Sequence, residues 1–532
     1  MQRDDMVSTQ RDDMVAQLDE QSKWDIAIVG GGATGLGIAI DAASRGYDTV
    51  LLEMADFAKA TSSRSTKLVH GGVRYLEQGN ISLVLEALRE RGVLQQNAPH
   101  LVHDCSFIVP TYSWWEKPYY GIGLKLYDLF SGAYSFGRSK VLSRAETVAQ
   151  LSTVEPNGLQ GGILYHDGQF DDARLAINMA QTAAEQGATL INYMKVETLT
   201  KENGRISGVV AHDRESDTEH EIRAEVVVNA AGIFSDEIRK MDDPEAPERM
   251  RPSQGVHVVL DRSFLPGDSA LMVPKTNDGR VLFALPWNGV VIAGSTDTPV
   301  EGPSLEPRPM EEEIDFVLEH LQEYLDRSPT RDDLLSVFAG IRPLVGTGDA
   351  DNTSKISRSH EISVSRDGLL TIAGGKWTTY RNMAEETVDR AIEVGPLPHQ
   401  PCPTASLRLH GYHESADQFG ALSAYGADAP KLMDFMEQHE SLQEPLHPDH
   451  DVQKGQVIWA ARHEMARTVD DVLARRTRML LRDAQASLEM APTVAALLAD
   501  ELDRSAAWQH EQVEQFSNVA DQYVAQSPAA AA

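Results

Sequence analysis

The sequence has little cysteine, since its 532 residues include only Cys105 and Cys402. Two cysteines so far apart make no disulfide framework, and they lack the spacing of a zinc or iron–sulfur site. Aromatic residues are also few, at 6% of the chain. We therefore predict a protein of a reducing compartment with no bound metal.

Basic residues are fewer than acidic ones, 48 against 80, and the formal net charge is −32. So acidic a chain lacks the large basic surface that nucleic-acid binding requires, which excludes that class of function. The same charge weakens any purely electrostatic attachment to anionic lipid. Two explanations of the acidity stay open: adaptation to a salt-rich cytoplasm, or an ordinary acidic protein.

Long apolar runs are missing as well. No run of 18 apolar residues occurs, so we expect no membrane span, and the N-terminal residues lack the apolar segment of a secretory signal. The motif QRDDMV occurs twice, over residues 2–7 and 10–15. Its polarity predicts that residues 1–22 form a disordered tail.

A glycine-rich turn follows the first apolar run of the chain. Residues 26–29, IAIV, predict a buried strand, and Gly30, Gly32 and Gly35 after them fit the pattern G-x-G-x-x-G. A helix predicted over about residues 33–45 would point its N-terminal N–H groups at a pyrophosphate. The pattern predicts dinucleotide binding, but it does not choose between FAD and NAD.

An acidic residue ends the second strand of this unit. Residues 49–52 predict the strand, and Glu53 follows it, 18 residues after Gly35. A carboxylate at this place accepts hydrogen bonds from both hydroxyls of an adenosine ribose and repels a 2′-phosphate. We therefore predict that Glu53 binds the ribose.

Two later segments repeat the order of strand, small residues and helix. They are EVVVNAAGIFSDEI, residues 225–238, and LLTIAGGKWTTYRNMAEETV, residues 369–388. Between them, alternating runs such as GVHVVL, residues 255–260, and GVVIAGSTD, residues 289–297, predict an antiparallel sheet. The simplest arrangement is a substrate domain inserted into a cofactor domain.

The chain beyond this region is rich in proline and then helical. Four prolines in EVGPLPHQPCPT predict a linker, because proline continues neither a helix nor a central strand. We expect the following domains: a tail, 1–22; a discontinuous cofactor domain, 23–110, 150–250 and 336–392; a substrate domain, 111–149 and 251–335; a linker, 393–404; and a C-terminal helical cap domain, 405–525.

Six further motifs occur together and in one order: ATSSRSTKLVHGGVRYLE (60–77), LRERGVLQQNAPHL (88–101), FDDARL (170–175), GSTDT (294–298), GIRPL (340–344) and GGKWTTYR (374–381). With them, the chain closely resembles the FAD-dependent glycerol-3-phosphate dehydrogenases over about residues 23–482. The resemblance implies a fold of mixed α/β and α+β character: a Rossmann-like FAD-binding domain with an inserted antiparallel-sheet domain, like glycine and D-amino-acid oxidases, followed by a helical domain.

The resemblance also implies the activity. It is the oxidation of sn-glycerol 3-phosphate to dihydroxyacetone phosphate by hydride transfer to non-covalent FAD, with electrons passed to a membrane quinone. The insertion of the oxygen-using relatives and the cysteine-rich region of the iron–sulfur-linked relatives are not found in the sequence. Two alternatives are an amine or amino-acid oxidase of the same fold and a flavin-binding scaffold without catalysis.

A dianionic phosphate needs fixed cations, and arginine suits it best because its planar fork makes paired hydrogen bonds. The matching motifs supply Arg74, Arg342, Lys376 and Arg381, although each arginine could instead form a surface salt bridge. The predicted substrate-binding residues are Arg74, Tyr75, Arg342, Lys376, Thr378 and Arg381.

The group that accepts the proton stays open. The resemblance places His257 near the flavin, which makes it the first candidate base, and the alternative is a histidine satisfied within the core. His70 is the other candidate base, although its position suggests that it packs on the flavin ring. The predicted catalytic residues are His257, Arg342 and Lys376.

The cofactor-binding prediction covers the glycine-rich turn, the hydroxyl residues after it and the later small-residue turns. Its members are Gly30, Gly32, Ala33, Thr34, Gly35, Glu53, Thr61, Ser62, Ser63, Lys67, His70, Gly71, Gly72, Ala231, Gly232, Gly375, Lys376 and Thr378.

Aromatic residues are concentrated in WWEKPYYGIGLKLYDLFSGAYSF, residues 114–136. The charged residues within this stretch exclude a membrane span, but it could lie at a membrane interface; the alternative is an apolar hairpin packed on the core. A basic cluster at Arg462, Arg467, Arg475, Arg476, Arg478 and Arg482 could contact lipid headgroups or pair internally with Asp470, Asp471 or Asp483. We expect peripheral attachment at the inner face of the cell membrane and consider a homodimer possible.

Overall fold

The computed structural model describes residues 10–72, 81–134, 136–346 and 359–525. Two large sheets form its centre, and a mostly helical region follows them in the chain. Each sheet has its own cluster of buried apolar side chains, and the C-terminal helices pack on the second sheet. This agrees with the predicted fold class.

The first sheet is mainly parallel, in the order β17–β18–β10–β1–β2–β7, with the antiparallel β8–β9 hairpin attached through β10. Its strands are β1 (Trp24–Val29), β2 (Thr49–Leu52), β7 (Thr189–Ile191), β8 (Met194–Glu202), β9 (Arg205–Asp213), β10 (Thr218–Asn229), β17 (His360–Val364) and β18 (Leu370–Gly374).

The predicted opening βαβ unit is confirmed. Helix α2 (Ala33–Ser44) connects β1 to β2, which pair in parallel. Gly30 has a φ of 110°, in the left-handed region that favours glycine, and so makes the turn out of the strand. A Cβ on Gly35 would lie 1.8 Å from the Gly30 carbonyl oxygen, so glycine is required where the helix packs on the turn.

The second sheet is mainly antiparallel, in the order β15–β11–β14–β13–β12–β4–β6–β3, with β16 paired to β11 and β5 to β6. Its strands are β3 (Leu68–Val69), β4 (Val102–Thr111), β5 (Lys140–Ser143), β6 (Gly161–Phe170), β11 (Met250–Asp261), β12 (Ala270–Val273), β13 (Leu282–Trp287), β14 (Val290–Gly294), β15 (Thr298–Pro299) and β16 (Leu334–Val345).

The structure corrects the predicted domain boundaries at four strands. Strands β4 and β6 pair along their whole length, β3 pairs with β6, and β16 pairs with β11 from Val345 opposite Met250 onward. All four therefore belong to the second sheet, although the sequence analysis assigned most of their residues to the cofactor domain. The hydrogen-bonding partner of a strand decides its sheet, and that partner lies far away in sequence.

The helices in the described residues surround both sheets. Besides α2, they are α1 (Arg11–Glu20), α3 (Ile81–Asn97), α4 (Glu116–Ser131), α5 (Arg144–Gln150), α6 (Asp172–Glu185), α7 (Ser235–Asp242), α8 (Glu311–Gln322), α9 (Tyr380–Val394), α10 (Ala429–Glu437), α11 (Lys454–His463), α12 (Met479–Arg482), α13 (Ala484–Glu501) and α14 (Ala506–Ala520). A short hairpin of β19 (Pro445–His447) and β20 (His450–Gln453) completes the C-terminal region.

Helix α1 corrects the prediction of a disordered tail over residues 1–22, of which residues 1–9 lie outside the described part. Met14 and Leu18 are one helical turn apart, and both are buried. The buried guanidinium of Arg11 pairs with Asp213 at 2.7 Å. The polar residues of this segment predicted disorder. Met14 and Leu18, however, give the helix an apolar face that packs on the core of the first sheet.

The C-terminal arginines pair internally, which was one of the two alternatives for this cluster. Arg475 and Arg476, in a π-helical turn (Asp471–Arg476), both donate to the carboxylate of Asp56. Arg475 also reaches Asp470 at 2.9 Å and Asp471 at 2.7 Å. The guanidinium groups of Arg475, Arg476 and Arg478 are almost completely buried.

The aromatic stretch forms helix α4 and not the hairpin that was one alternative. Tyr127 in its second half is buried, whereas Trp114, Trp115 and Tyr119 at its start are 83%, 49% and 55% exposed. We call these three residues the aromatic patch. None of the helices in the described ranges combines the length and apolar character needed to cross a membrane.

A partly buried histidine connects the first-sheet domain to the C-terminal region. His410 makes two 2.6 Å contacts, through Nδ1 to Glu185 of α6 and through Nε2 to Asp428. Burial lowers the pKa of His410, but hydrogen bonds to Asp428 and Glu185 outweigh it and raise the pKa to about 9. The charged imidazole therefore joins the two regions at neutral pH.

This contact predicts a pH-dependent stability. The His410 pKa lies above its ordinary value of 6.5, so its stabilising contribution is complete below about pH 6.5 and is lost as pH rises through about 9. We expect His410→Gln to lower the free energy of unfolding by about 2 kcal/mol at pH 7 and to have little effect at pH 10.

Thermal melts across this pH range make the comparison. His212→Gln is the control, because His212 forms an ion pair with the exposed Asp217. An equal effect of His410→Gln at both pH values would contradict the assignment.

Candidate active site

A first cavity of about 300 Å³ lies where the carboxyl ends of the central parallel strands meet the turns after them. Open α/β sheets bind ligands at this edge. Eleven of the predicted cofactor-binding residues line it: Gly30, Gly32, Ala33, Thr34, Glu53, Thr61, Ser62, Ala231, Gly232, Gly375 and Lys376.

The glycine-rich turn presents backbone groups to this cavity. The N-cap residue of helix α2 is Gly32, which has no side chain to cap the helix. The first helical residues, Ala33 and Thr34, line the wall, and Ala33 N donates to Ser62 Oγ at 3.0 Å. Free N–H groups at a helix N-terminus favour anions. The wall therefore fits the pyrophosphate of a dinucleotide.

Glu53 is held in place by backbone donors. Its Oε2 accepts from Gly31 N at 2.6 Å and its Oε1 from Ala55 N at 2.9 Å. Burial raises the pKa of Glu53, and the two backbone N–H groups act in the opposite direction. Each carboxylate oxygen has a further lone pair, so these bonds leave acceptors for ribose hydroxyls.

A second cavity, also of about 300 Å³, adjoins the first. Thr61, Arg342, Lys376 and Trp377 line both. Its other walls come from the second sheet, from the segments on both sides of β3 and from the turn after β18. They include the predicted residues His70, Gly72, His257 and Thr378. The shared wall places the second cavity against the end of the dinucleotide site.

Arg342 is a firmly positioned cation of the second cavity. Its Nη2 donates to Ser295 Oγ and to the Thr296 carbonyl, both at 2.8 Å, and its Nη1 to the Gln254 carbonyl at 3.2 Å. A Cβ on Gly255 would lie 2.4 Å from Nη2, so only glycine leaves room for the guanidinium. The group is fixed before any ligand binds.

His257 lies on β11 and is 2% exposed. Its ring stacks on Phe338, with centroids 4.8 Å apart, and its Nε2 lies 2.9 Å from Thr66 Oγ1. Burial, followed by the charges of Lys67 and Arg342, holds the pKa of His257 well below its usual value. The imidazole is therefore neutral at pH 7 and has the protonation state that a base requires.

Four predicted cofactor residues do not line either cavity. Gly35 packs on Gly30, and Ser63 and Gly71 are buried behind the walls. The prediction for the Lys67 side chain is wrong, because its Nζ donates to Asp172 at 2.7 Å and to the Ser63 carbonyl at 2.8 Å. Burial lowers the pKa of Lys67 to about 8, and Asp172 opposes this effect.

The prediction that Arg381 binds substrate is also wrong. Its guanidinium forms a paired bond with Glu90 of α3, at 2.7 and 2.8 Å, and a third bond with Glu385. Arg381 is buried behind the cavity wall, where these carboxylates neutralise it. Arg74 and Tyr75, two other predicted substrate ligands, lie outside the described residues.

Sequence reasoning missed several side chains of the second cavity. Ser295, Thr296 and Asp297 hold or approach Arg342, and the motif GSTDT that contains them was given no role. Thr66 was missed although it lies in the same motif as Thr61 and Ser62. The run of hydroxyl residues just before β3 was the sequence feature that could have identified Thr66.

Comparisons with known proteins agree with this geometry. Residues 25–381 match the family described as FAD dependent oxidoreductase, and residues 370–509 match the C-terminal domain of alpha-glycerophosphate oxidase. The mitochondrial glycerol-3-phosphate dehydrogenase of Mesocricetus auratus is 41% identical over 93% of this chain and 73% of its own length.

A solved structure is similar over nearly the whole chain. It is the glycerol-3-phosphate dehydrogenase of Bacillus halodurans complexed with FAD, which is 30% identical and covers 97% of this chain and 98% of its own, with a TM-score of 0.79. This chain belongs to the FAD-dependent glycerol-3-phosphate dehydrogenase family. Its cofactor is FAD, which the first cavity and the shared wall fit.

A more distant structure shares only the fold. Glycine oxidase from Geobacillus kaustophilus is 18% identical, covers 73% of this chain and 99% of its own, and has a TM-score of 0.53. It supports the predicted oxidase-like architecture and carries no argument about substrate.

The structural role of Arg381 predicts the effect of its removal. We expect Arg381→Met to lower the free energy of unfolding by about 3 kcal/mol, because the buried Glu90 carboxylate would lose its partner. The KM for glycerol 3-phosphate should stay within about twofold. Thermal melts and steady-state kinetics measure the two effects, and a large rise in KM with unchanged stability would restore Arg381 as a substrate ligand.

Proposed function

We propose that this protein oxidises sn-glycerol 3-phosphate to dihydroxyacetone phosphate with FAD and passes the electrons to a membrane quinone. The observation that supports this proposal most is the second cavity. Arg342, Lys376 and His257 line it, and it adjoins the FAD cavity. A phosphate ester with an oxidisable hydroxyl needs this combination of cations and base.

The cations bind the phosphate in this proposal. Arg342 is held by Ser295 and the Thr296 carbonyl, so its positive charge is fixed at the wall of the cavity. Lys376 follows the Gly374–Gly375 turn and lines both cavities, which puts it beside both the phosphate and the flavin end. Arg74, Tyr75 and Thr378 remain proposed substrate contacts.

His257 takes the proton of the C2 hydroxyl. FAD bound in the first cavity would supply the chemistry that accepts a hydride from C2. The protein fixes the position of C2 by holding the phosphate. It also keeps the His257 imidazole buried and neutral, so that this ring can take up a proton. His70, whose backbone N donates to Thr378 Oγ1 at 3.2 Å, also lines the cavity and is the second candidate base.

The two alternatives receive less support. An amino-acid oxidase needs one arginine for a carboxylate, whereas Arg342 and Lys376 together fit a dianion. A scaffold without catalysis would not require a buried histidine beside those cations. Reduction of the flavin by glycerol 3-phosphate, and by no amino acid, separates all three.

The aromatic patch is the proposed membrane contact. Trp114, Trp115 and Tyr119 are exposed in a chain with few aromatic residues, and the rings of Trp115 and Tyr119 meet edge to face at 6.2 Å. Amphipathic rings favour the headgroup region, and they need no basic surface. We propose peripheral attachment at the inner face of the cell membrane, where quinone is available.

Replacement of Arg342 tests the substrate assignment. We expect Arg342→Met to raise the KM for glycerol 3-phosphate by about 10- to 100-fold, because a charge-assisted pair of hydrogen bonds is lost. Arg331→Met is the control, since Arg331 pairs with Glu311 and Asp315 at the surface. An unchanged KM in the Arg342 variant would remove Arg342 from the phosphate site.

Flotation with neutral phosphatidylcholine vesicles tests the membrane contact. We expect the wild-type protein to float with the vesicles and to reduce a quinone dissolved in them. Replacing Trp114, Trp115 and Tyr119 by serine should weaken binding about tenfold or more, because the rings lose their apolar environment.

Met433→Ser is the control, as Met433 is another exposed apolar side chain, on α10. A triple variant that floats like the wild type would contradict the assignment of the patch.

A further inference from the structure

The His257 ring has one orientation. Phe338 stacks on one of its faces with an interplanar angle of 15°. On β14, a Cβ on Gly294 would lie 2.5 Å from His257 Cδ2, so the ring fills the space above that glycine. A ring enclosed in this way cannot turn to present a different nitrogen to a substrate.

The two ring nitrogens have different surroundings. Nδ1 is buried and has no hydrogen-bond partner among the described residues. Nε2 lies 2.9 Å from Thr66 Oγ1, and Thr66 itself lines the second cavity. A polar route between the cavity and this imidazole therefore runs through the Thr66 hydroxyl.

The residues on both sides of Thr66 are held by one carboxylate. The buried carboxylate of Asp172 accepts from Ser65 N at 2.9 Å, from Ser65 Oγ at 2.7 Å and from Lys67 Nζ at 2.7 Å. Asp172 also accepts from Arg478 at 2.7 Å, so the clamp is tied to the C-terminal region. The Thr66 hydroxyl is thus held at a set distance from His257.

We propose that Thr66 is a catalytic residue that relays the substrate proton to His257. Its Oγ1 accepts the proton of the C2 hydroxyl while its own hydroxyl proton passes to Nε2, since a hydroxyl is both donor and acceptor. The substrate O–H bond breaks, the carbonyl forms at C2, and the C2 hydrogen leaves with its electron pair to FAD. The imidazole ends with the positive charge. The proposal rests on the proposed role of His257 as base.

The electrostatics of the site agree with this direction of transfer. Burial keeps His257 neutral before the substrate binds, and the positive charges of Lys67 and Arg342 add to the effect. A phosphate dianion beside Arg342 offsets part of that positive charge and makes the imidazole a better proton acceptor. The base therefore gains strength when the correct substrate is present.

The test uses the FAD-loaded protein and the variants Thr66→Val, Thr66→Ser and His257→Gln. Valine keeps the shape of threonine without the hydroxyl, and serine keeps the hydroxyl. Anaerobic stopped-flow measures flavin reduction at saturating glycerol 3-phosphate. Thr66→Val should slow reduction by about 10²-fold or more, and Thr66→Ser should stay within about threefold of wild type.

Binding supplies a readout independent of turnover. The Kd of dihydroxyacetone phosphate, from flavin difference spectra, should change less than about threefold in Thr66→Val, because the cations that hold the phosphate are untouched. In mixtures of H₂O and D₂O, the wild-type reduction rate is plotted against the fraction of D₂O. We expect a curved plot, because two protons move together in the relay. A straight line would contradict the relay.

The possible outcomes distinguish a failure of the Thr66 relay from a failure of the proposed dehydrogenase function. A wild-type flavin that glycerol 3-phosphate does not reduce would overturn the proposed function before the variants matter. Wild-type rates in His257→Gln would remove His257 as base, and the relay with it. A slow His257→Gln beside a fast Thr66→Val would overturn the relay alone. Equal losses in the valine and serine variants would show that Thr66 acts through packing and not through its hydroxyl.

Discussion

The carboxylate of Asp56 accepts hydrogen bonds from two arginines, and the placement of the active site depends on this contact. Asp56 lies three residues after Glu53, at the edge of the FAD cavity, while Arg475 and Arg476 belong to the C-terminal region. All three groups are buried. Removing one member of such a cluster leaves an uncompensated charge and costs about 3–5 kcal/mol.

The contact extends along the whole segment between β2 and β3. Lys59 pairs with Asp470 at 2.6 Å and with Glu306 at 2.9 Å, and Arg478 reaches Asp172, which clamps the residues beside Thr66. The segment supplies Thr61 and Ser62 to the first cavity and Thr66 to the second. The C-terminal helices therefore fix a wall of both cavities without lining either, which gives this region a physical role in shaping the candidate site.

Local sequence signals predicted the parts of the fold that local physics decides. The glycine spacing of the opening turn, the strand and helix periods around it, and the alternation in β11 and β14 each follow from backbone geometry over a few residues. Arg381 shows where this reasoning ends, because its partner Glu90 lies 291 residues away in sequence. A basic cluster in the sequence suggests an exposed surface, but Asp56, more than 400 residues earlier, makes burial of Arg475 favourable. The same limit applies to β16, whose sheet is decided by a distant strand.

Anaerobic mixing of the FAD-loaded protein with glycerol 3-phosphate tests the central claim most directly. The flavin absorbance should bleach rapidly with glycerol 3-phosphate and stay unchanged with glycerol, which lacks the phosphate, and with sarcosine, which an amine oxidase would accept. This selectivity would establish the substrate and the requirement for phosphate together. A folded, flavin-loaded protein that glycerol 3-phosphate does not bleach at low or high salt, or that sarcosine bleaches instead, would contradict the account.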